Sequence, residues 1–279
     1  MEVPKNTSIL SAFKITGKTQ NGLSIGILNA ITGKTDAEID NGGIRRKETV
    51  EPFTNYLVTR VQQDFNGGIT SLGGMVTATN RNIQTAELNF LNRAAYSGGV
   101  DFRHQWSERK YWVNANLNFS HILGDQTAII RAQRSSARFF QRPDAGYVTL
   151  DSTRTSLSGH SGTVDIGRGG ASPWRLGVTG TWRSPGFELN DLGFLRQADV
   201  LMQTSYLGYN STQPAGFFRS YDLSFTQWQG WNFGGSRTFS GGNINGQGQF
   251  SNYWRTWMNL EWGLGGFSTE KLRGGPTMR

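Results

Sequence analysis

The sequence predicts an all-β protein: an antiparallel transmembrane β-barrel with about twelve strands in this chain, forming an incomplete part of a larger barrel. Three observations predict it. The stretch Tyr96 to His121 alternates with period two on both sides of a four-residue polar turn, Ser107 to Lys110, which is the pattern of an antiparallel hairpin. Each arm is about ten residues long, the length a tilted strand needs to cross a bilayer. Aromatics stand beside the turn (Trp106, Tyr111) and at the far ends (Tyr96, Phe119), where a membrane barrel carries its interfacial girdles.

The other strands follow from the same alternation. Lys5 to Lys18 carries Ile9, Phe13 and Ile15 on one face, turns at Thr19 to Gly22, and returns with Leu23, Ile25, Ile27 and Ile31 outward. A polar loop, about 33–48, contains GG and RRK. Val50 to Phe65 turns at Asn66-Gly67-Gly68 into Ile69 to Thr79, and a long connection leads to the central hairpin. The longest connection runs from His121 to about Leu157. Then come Ser158 to Gly167, a turn at Arg168 to Pro173, and Trp174 to Arg183. Beyond the loop SPGFELNDLGFLRQAD lie Val200 to Tyr209, Phe217 to Gln227, Asn243 to Tyr253 and Trp254 to Leu264. Short turns alternate with long loops, as in outer-membrane barrels. Residues 1–279 are therefore expected to form one barrel region with no second domain. MEVPKNTS shows no signal peptide, so the expectation is a fragment of an exported protein.

Composition sets limits. Mean hydropathy is −0.47, and no apolar run approaches the roughly 18 residues of a membrane helix. The chain has 37 Gly but also 9 Trp, 8 Tyr and 17 Phe, more aromatic than glycine-rich disorder allows. It has no cysteine, which excludes disulfides and thiolate metal sites. The net charge of +8 fits nucleic acid, anionic lipid or basic loops.

No motif carries chemistry in its required context. GLSIG (Gly22 to Gly26) matches a nucleophile elbow, but Ser24 sits in an alternating strand rather than at a strand-to-helix turn. GKT at Gly17 and Gly33 lacks the first glycine of a phosphate loop, Ala12 and Leu28 standing in its place. His104, His121 and His160 share no ligand spacing. The expectation is no catalytic residue, no metal and no cofactor. The inward-facing candidates are Lys14, Lys18, Asp101, Arg103, Asp165, Arg175, Arg183, Arg255 and Glu261. They either pair with one another or line a lumen and set solute preference. Arg131, Arg134, Arg138 and Arg142 are spaced for one helical face, as a solvated helix or as a basic constriction.

The segments KITGKTQNGLSIGILNAIT, EPFTNYLVTRVQQDF, DFRHQW, SSARFFQRPDA, DSTRTSLSGHSG, WRSPGFELNDLGFLRQAD, QWQGWNFGG, TFSGGNINGQGQF and LRGGP resemble the barrel portion of Bacteroidota-type outer-membrane proteins. In that family a barrel of unknown function follows a carbohydrate-binding module resembling the family-nine type. The resemblance implies a cell outer-membrane location and a glycan ligand, and supplies no catalytic residue for this chain. The expected function is thus an outer-membrane barrel that binds or passes a solute at the cell surface, linked to carbohydrate uptake. Its expected partners are outer-membrane lipid, lipopolysaccharide and a glycan, and no nucleic acid.

Two rivals stand beside it. A protein associated with glycoside hydrolysis would need two carboxylates about 5–10 Å apart, with Glu188 and Asp191 or Asp144 and Asp151 as the loop pairs to test. A soluble basic β-protein binding nucleic acid would place aromatics and arginines on one face, whereas here they mostly oppose each other.

Overall fold

The computed structural model describes residues 4, 6–170 and 172–279; Lys5, the first residue of the expected first strand, and Ala171, in an expected turn, lie outside them. Among the described residues twelve strands form one antiparallel sheet: β1 (Ile9–Lys18), β2 (Leu23–Thr32), β5 (Phe53–Phe65), β6 (Thr70–Asn82), β7 (Asn92–Trp106), β8 (Tyr111–Gly124), β9 (Ser156–Arg168), β10 (Trp174–Arg183), β11 (Val200–Ser211), β12 (Phe218–Trp231), β13 (Arg237–Phe250) and β14 (Arg255–Leu264). Between β2 and β5 a separate hairpin, β3 (Thr35–Asn41) and β4 (Ile44–Glu51), forms a two-stranded sheet. It occupies the expected polar loop. Gly42 (φ 65°) and Gly43 (φ 91°) make its turn, a position that needs positive φ at two successive residues.

The expectation of a transmembrane barrel is corrected here. Among the described residues β1 pairs only with β2, and β14 only with β13, so the sheet there is open at both edges. A structure that spans a bilayer on strands must close, because unpaired N–H and C=O groups have no partner in hydrocarbon. The cell outer-membrane location, the lipid and lipopolysaccharide partners and the passage of a solute are drawn from the barrel and are corrected with it. Among the described residues no helix is long and apolar enough to cross a membrane.

Alternation fixes the two faces of the sheet. The ladder Val100, Leu117, Gly162 continues to Val61 and Ile25 through Gly74 on one face. Its neighbour on the other face joins Asp101 to Asn116 and Thr163. The first face exposes large apolar side chains, among them Phe13, Ile25, Val100 and Leu176. The second is polar in its middle and at the short-turn end.

The core lies on this second face, at the end where the long connections emerge. There the face itself becomes apolar through Ala95, Ile122 and Leu157, and helix α1 (Gln126–Arg134) covers it with Ile129, helped by Phe140. Asp125 caps the helix by accepting a hydrogen bond from the Thr127 N–H at 2.9 Å, as an N-cap carboxylate does. Beside it Phe187, Leu195 and Ala198 form a second buried cluster, contributed by residues 184–199. Glycine makes that packing possible. A Cβ on Gly159 would meet the backbone of Phe187, and one on Gly186 the carbonyl of Ser158, so the segment lies directly on β9.

Candidate functional site

The long connections do not hang free; they bind one another into a cap over one end of the polar face. Arg138 is fully buried and donates to the Pro185 carbonyl at 3.1 Å, the Ala132 carbonyl at 2.6 Å, the Phe187 carbonyl at 2.7 Å and Glu188 Oε2 at 2.7 Å. Glu188 Oε1 in turn accepts from the Leu189 and Asn190 N–H groups. Arg142 and the Tyr147 hydroxyl both donate to Asp199 Oδ2, at 3.2 and 2.5 Å, while the Phe233 N–H reaches Oδ1 at 2.9 Å. Burial pushes the Asp199 carboxyl above its usual range, against the bonds from Tyr147 and Phe233 and the charge of Arg142. Burial, then the neighbouring carboxylate, raises the Tyr147 hydroxyl. Arg81 joins β6 to the cap through Asp191 at 2.5 Å. Asp144 accepts from Thr277, tying in the C-terminal segment.

The four arginines expected on one helical face are thereby separated. The helix ends at Arg134, and Ser135 is extended (φ −59°, ψ 154°). Arg131 and Arg134 are exposed, Arg131 lying 5.1 Å from the ring centroid of Phe90. Arg138 and Arg142 are buried in ion pairs and present no charge to an opening. The two carboxylate pairs considered for glycoside chemistry are committed elsewhere: Glu188 to Arg138, Asp191 to Arg81 and Asn92, Asp144 to Thr277, and Asp151 to Thr153 and Arg154.

Below the cap, the inward-facing candidates share the polar face of the sheet. Lys18 pairs with Asp64 at 2.8 Å, and Arg60 holds both oxygens of Asp101 at 2.9 Å. Asp165 accepts from Trp112, Asn114 and Thr179 at 2.7, 3.0 and 3.0 Å. Arg175 pairs with Asp222. Lys14 stands opposite Leu28, Arg103 opposite Asn114, and Arg255 and Glu261 opposite Gln249 and Asn243 at the β14 edge. The Lys18 ammonium and the Gln62 amide hold the Asp64 carboxyl down at about 2. A depressed carboxylate stabilises the fold above its unfolded value of 3.8 and loses that contribution as pH falls toward 2. The Asp64 carboxyl followed by NMR should therefore titrate near 2 in the native chain and closer to 3.8 in Lys18→Met; an unchanged midpoint would show that the pair does not form.

Arg183 has a different setting. It ends β10 on the polar face, and its one side-chain hydrogen bond within the described residues is a long one, 3.4 Å to the Gln197 carbonyl. It borders a cleft of about 350 Å³ between the sheet and residues 184–199. The floor is Asn116 and Asn118 of β8, Ser161 and Thr163 of β9 and Thr181 of β10. The roof is Phe187, Leu189, Phe194, Leu195 and Arg196. No carboxylate lines it.

A family model described as a domain of unknown function, DUF5916, matches residues 1–268. The chain belongs to the DUF5916 family. None of the curated proteins matches it. The match is to a domain of unknown function; together with a sheet whose first and last strands do not pair, it corrects the resemblance to outer-membrane barrel proteins, and it carries no support for the carbohydrate link drawn from that resemblance. The DUF5916 chain is an open sheet with a capped polar face. The cap pairs escape sequence reasoning because the partners lie far apart along the chain, 50 residues from Arg138 to Glu188 and 57 from Arg142 to Asp199. One signal stood in WRSPGFELNDLGFLRQAD itself: carboxylates interleaved with Phe and Leu in a connection mark a loop that is packed.

Proposed function

We propose that this DUF5916 chain is a non-catalytic binding module whose ligand occupies the cleft between β8–β10 and residues 184–199. The observation that carries the reading is the composition of that cleft: amides and hydroxyls on the floor, and an aromatic and aliphatic roof held rigidly by the cap. Concave sites with an apolar wall and a few convergent polar groups are where small molecules bind. The floor groups are partly engaged with one another, Asn118 with Asn116 at 2.9 Å and Thr163 with Thr181 at 3.2 Å, which leaves acceptor and donor positions directed at a ligand. Binding rather than catalysis is favoured by the four loop carboxylates weighed for glycoside chemistry, Glu188, Asp191, Asp144 and Asp151, each of which serves a structural contact.

Filling the cleft tests this. Phenylacetate, 2-phenylethanol and 2-phenylethylamine are offered separately to the native chain and to Thr163→Trp, with binding read by saturation-transfer NMR. At least one probe should bind the native chain and lose its signal in the variant. Equal signals from both proteins, or none from the native chain, would overturn the assignment.

A further inference from the structure

Resting on that reading, we infer that the ligand is an organic anion: a carboxylate or phosphate monoester joined to an apolar body, anchored by Arg183 and Arg196. Both guanidinium groups border the cleft, and no carboxylate does. Of the arginines in and beside the cap, Arg81, Arg138 and Arg142 have acidic partners and Arg131 an aromatic one, while Arg134 is exposed on the outside of the helix, away from the cleft lining. Arg183 instead makes one long side-chain bond to a carbonyl, and Arg196 makes none within the described residues. Two planar donor forks without an acidic partner suit a carboxylate or phosphate, which arginine holds in a bidentate manner.

The apolar half of the ligand follows from the roof. Phe194 is 84% exposed at the mouth of the cleft although its neighbour Leu195 is buried. Its ring is therefore presented where it can cover a ligand seated on the polar floor. A purely inorganic anion would leave that surface uncovered, and a neutral ligand would leave two cations without a counter-charge. The amides of Asn116 and Asn118 lie on the floor beneath, placed to hold polar groups on the ligand's body.

The experiment is a titration of the full chain with phenylacetate, phenyl phosphate, 2-phenylethanol and inorganic phosphate, observed by amide chemical shifts. One or both aromatic anions should bind at least tenfold more tightly than phenylethanol, because hydrogen bonds to a charged group are worth about 1.5–3 kcal/mol. Which of the two binds better decides between carboxylate and phosphate. Arg183→Gln and Arg196→Gln should each weaken anion binding about tenfold and leave phenylethanol unchanged. Arg196 is exposed and makes no internal bond within the described residues, so its variant keeps the test interpretable if Arg183→Gln disturbs the fold. Phenylethanol binding as tightly as the anions, with no effect of either substitution, would overturn the anion and leave the cleft standing. Failure of all four probes to shift the cleft amides would overturn the cleft itself.

Discussion

Replacing Arg138 by alanine is expected to destabilise the protein by about 3–5 kcal/mol, the cost of stranding a buried charge without its counter-ion. Arg138 has no exposed side-chain surface, and Glu188 has very little. The substitution removes five donations at once and leaves three carbonyl or carboxylate oxygens, those of Pro185, Phe187 and Glu188, facing no donor. Replacing both partners is different in kind. In the double variant Arg138→Met with Glu188→Gln, the amide oxygen can still accept from the Leu189 and Asn190 N–H groups, no charge remains, and methionine fills much of the arginine volume. Most of the loss should be recovered. Urea unfolding of the three proteins measures this. A single variant within about 1 kcal/mol of the native chain, the scale of a surface ion pair, would mean that the pair is solvated.

Alanine at Gly159 should release residues 184–199 while the sheet stays folded. The added Cβ would fall on the backbone of Phe187, which no side-chain rotation can clear. Overpacking of this kind costs about 1–3 kcal/mol, and more where backbone must move. The cheapest escape is for the segment to lift away, exposing Phe187, Leu195 and Ala198. Hydrogen exchange at the amides of Phe187 and Ala198, which are bonded to Ser184 and Ala137, should accelerate strongly. Amides of the β11–β12 ladder should not change. Gly180→Ala supplies the control, since nothing lies within 4 Å of its added methyl. Unaltered protection in Gly159→Ala would show that the segment is not seated on β9.

How far the sequence was legible depended on the kind of interaction. Alternation located individual strands, because period two is a local property of a half-buried surface: Val100 and Asp101 differ in environment whatever lies beyond them. Alternation says that two faces differ, and is silent on what covers each. The step from an apolar face to a lipid-facing one required closure, and closure depends on whether β1 meets β14, two strands with no local feature that records it. The β3–β4 hairpin has the sequence of a polar loop because charge occupies both its faces, with Glu38, Asp40, Arg45 and Lys47 pairing on one and Arg46 with Glu48 on the other. The arginine spacing from Arg131 to Arg142 implied a helix of twelve residues. The helix that forms is Gln126–Arg134, so only Arg131 and Arg134 lie on it before Ser135 leaves helical geometry, and Phe139 takes a positive φ of 48° to turn Arg138 into the cap. In the cleft, residue types were visible, but Arg183 and Arg196 could not be told apart from the paired arginines until their neighbours were in place.

The order of strands in the sheet also ranks the parts of the molecule by dependence. Apart from β5, which lies beside β2 rather than β4, each strand of the large sheet after the first lies beside its immediate predecessor in the chain, so most ladders close short loops at small entropic cost and the longest closures between consecutive strands are those at β8–β9 and β10–β11. The cap joins Arg81 to Asp191 across 110 residues and Asp144 to Thr277 across 133. The closure cost grows with the logarithm of the loop, at about 0.6 kcal/mol per doubling, and an ion pair alone returns little more than that. Those distant contacts become affordable only once the intervening ladders have drawn their ends together. The cleft is thus a tenant of the sheet: it can be lost while the ladders persist, but it has no existence without them.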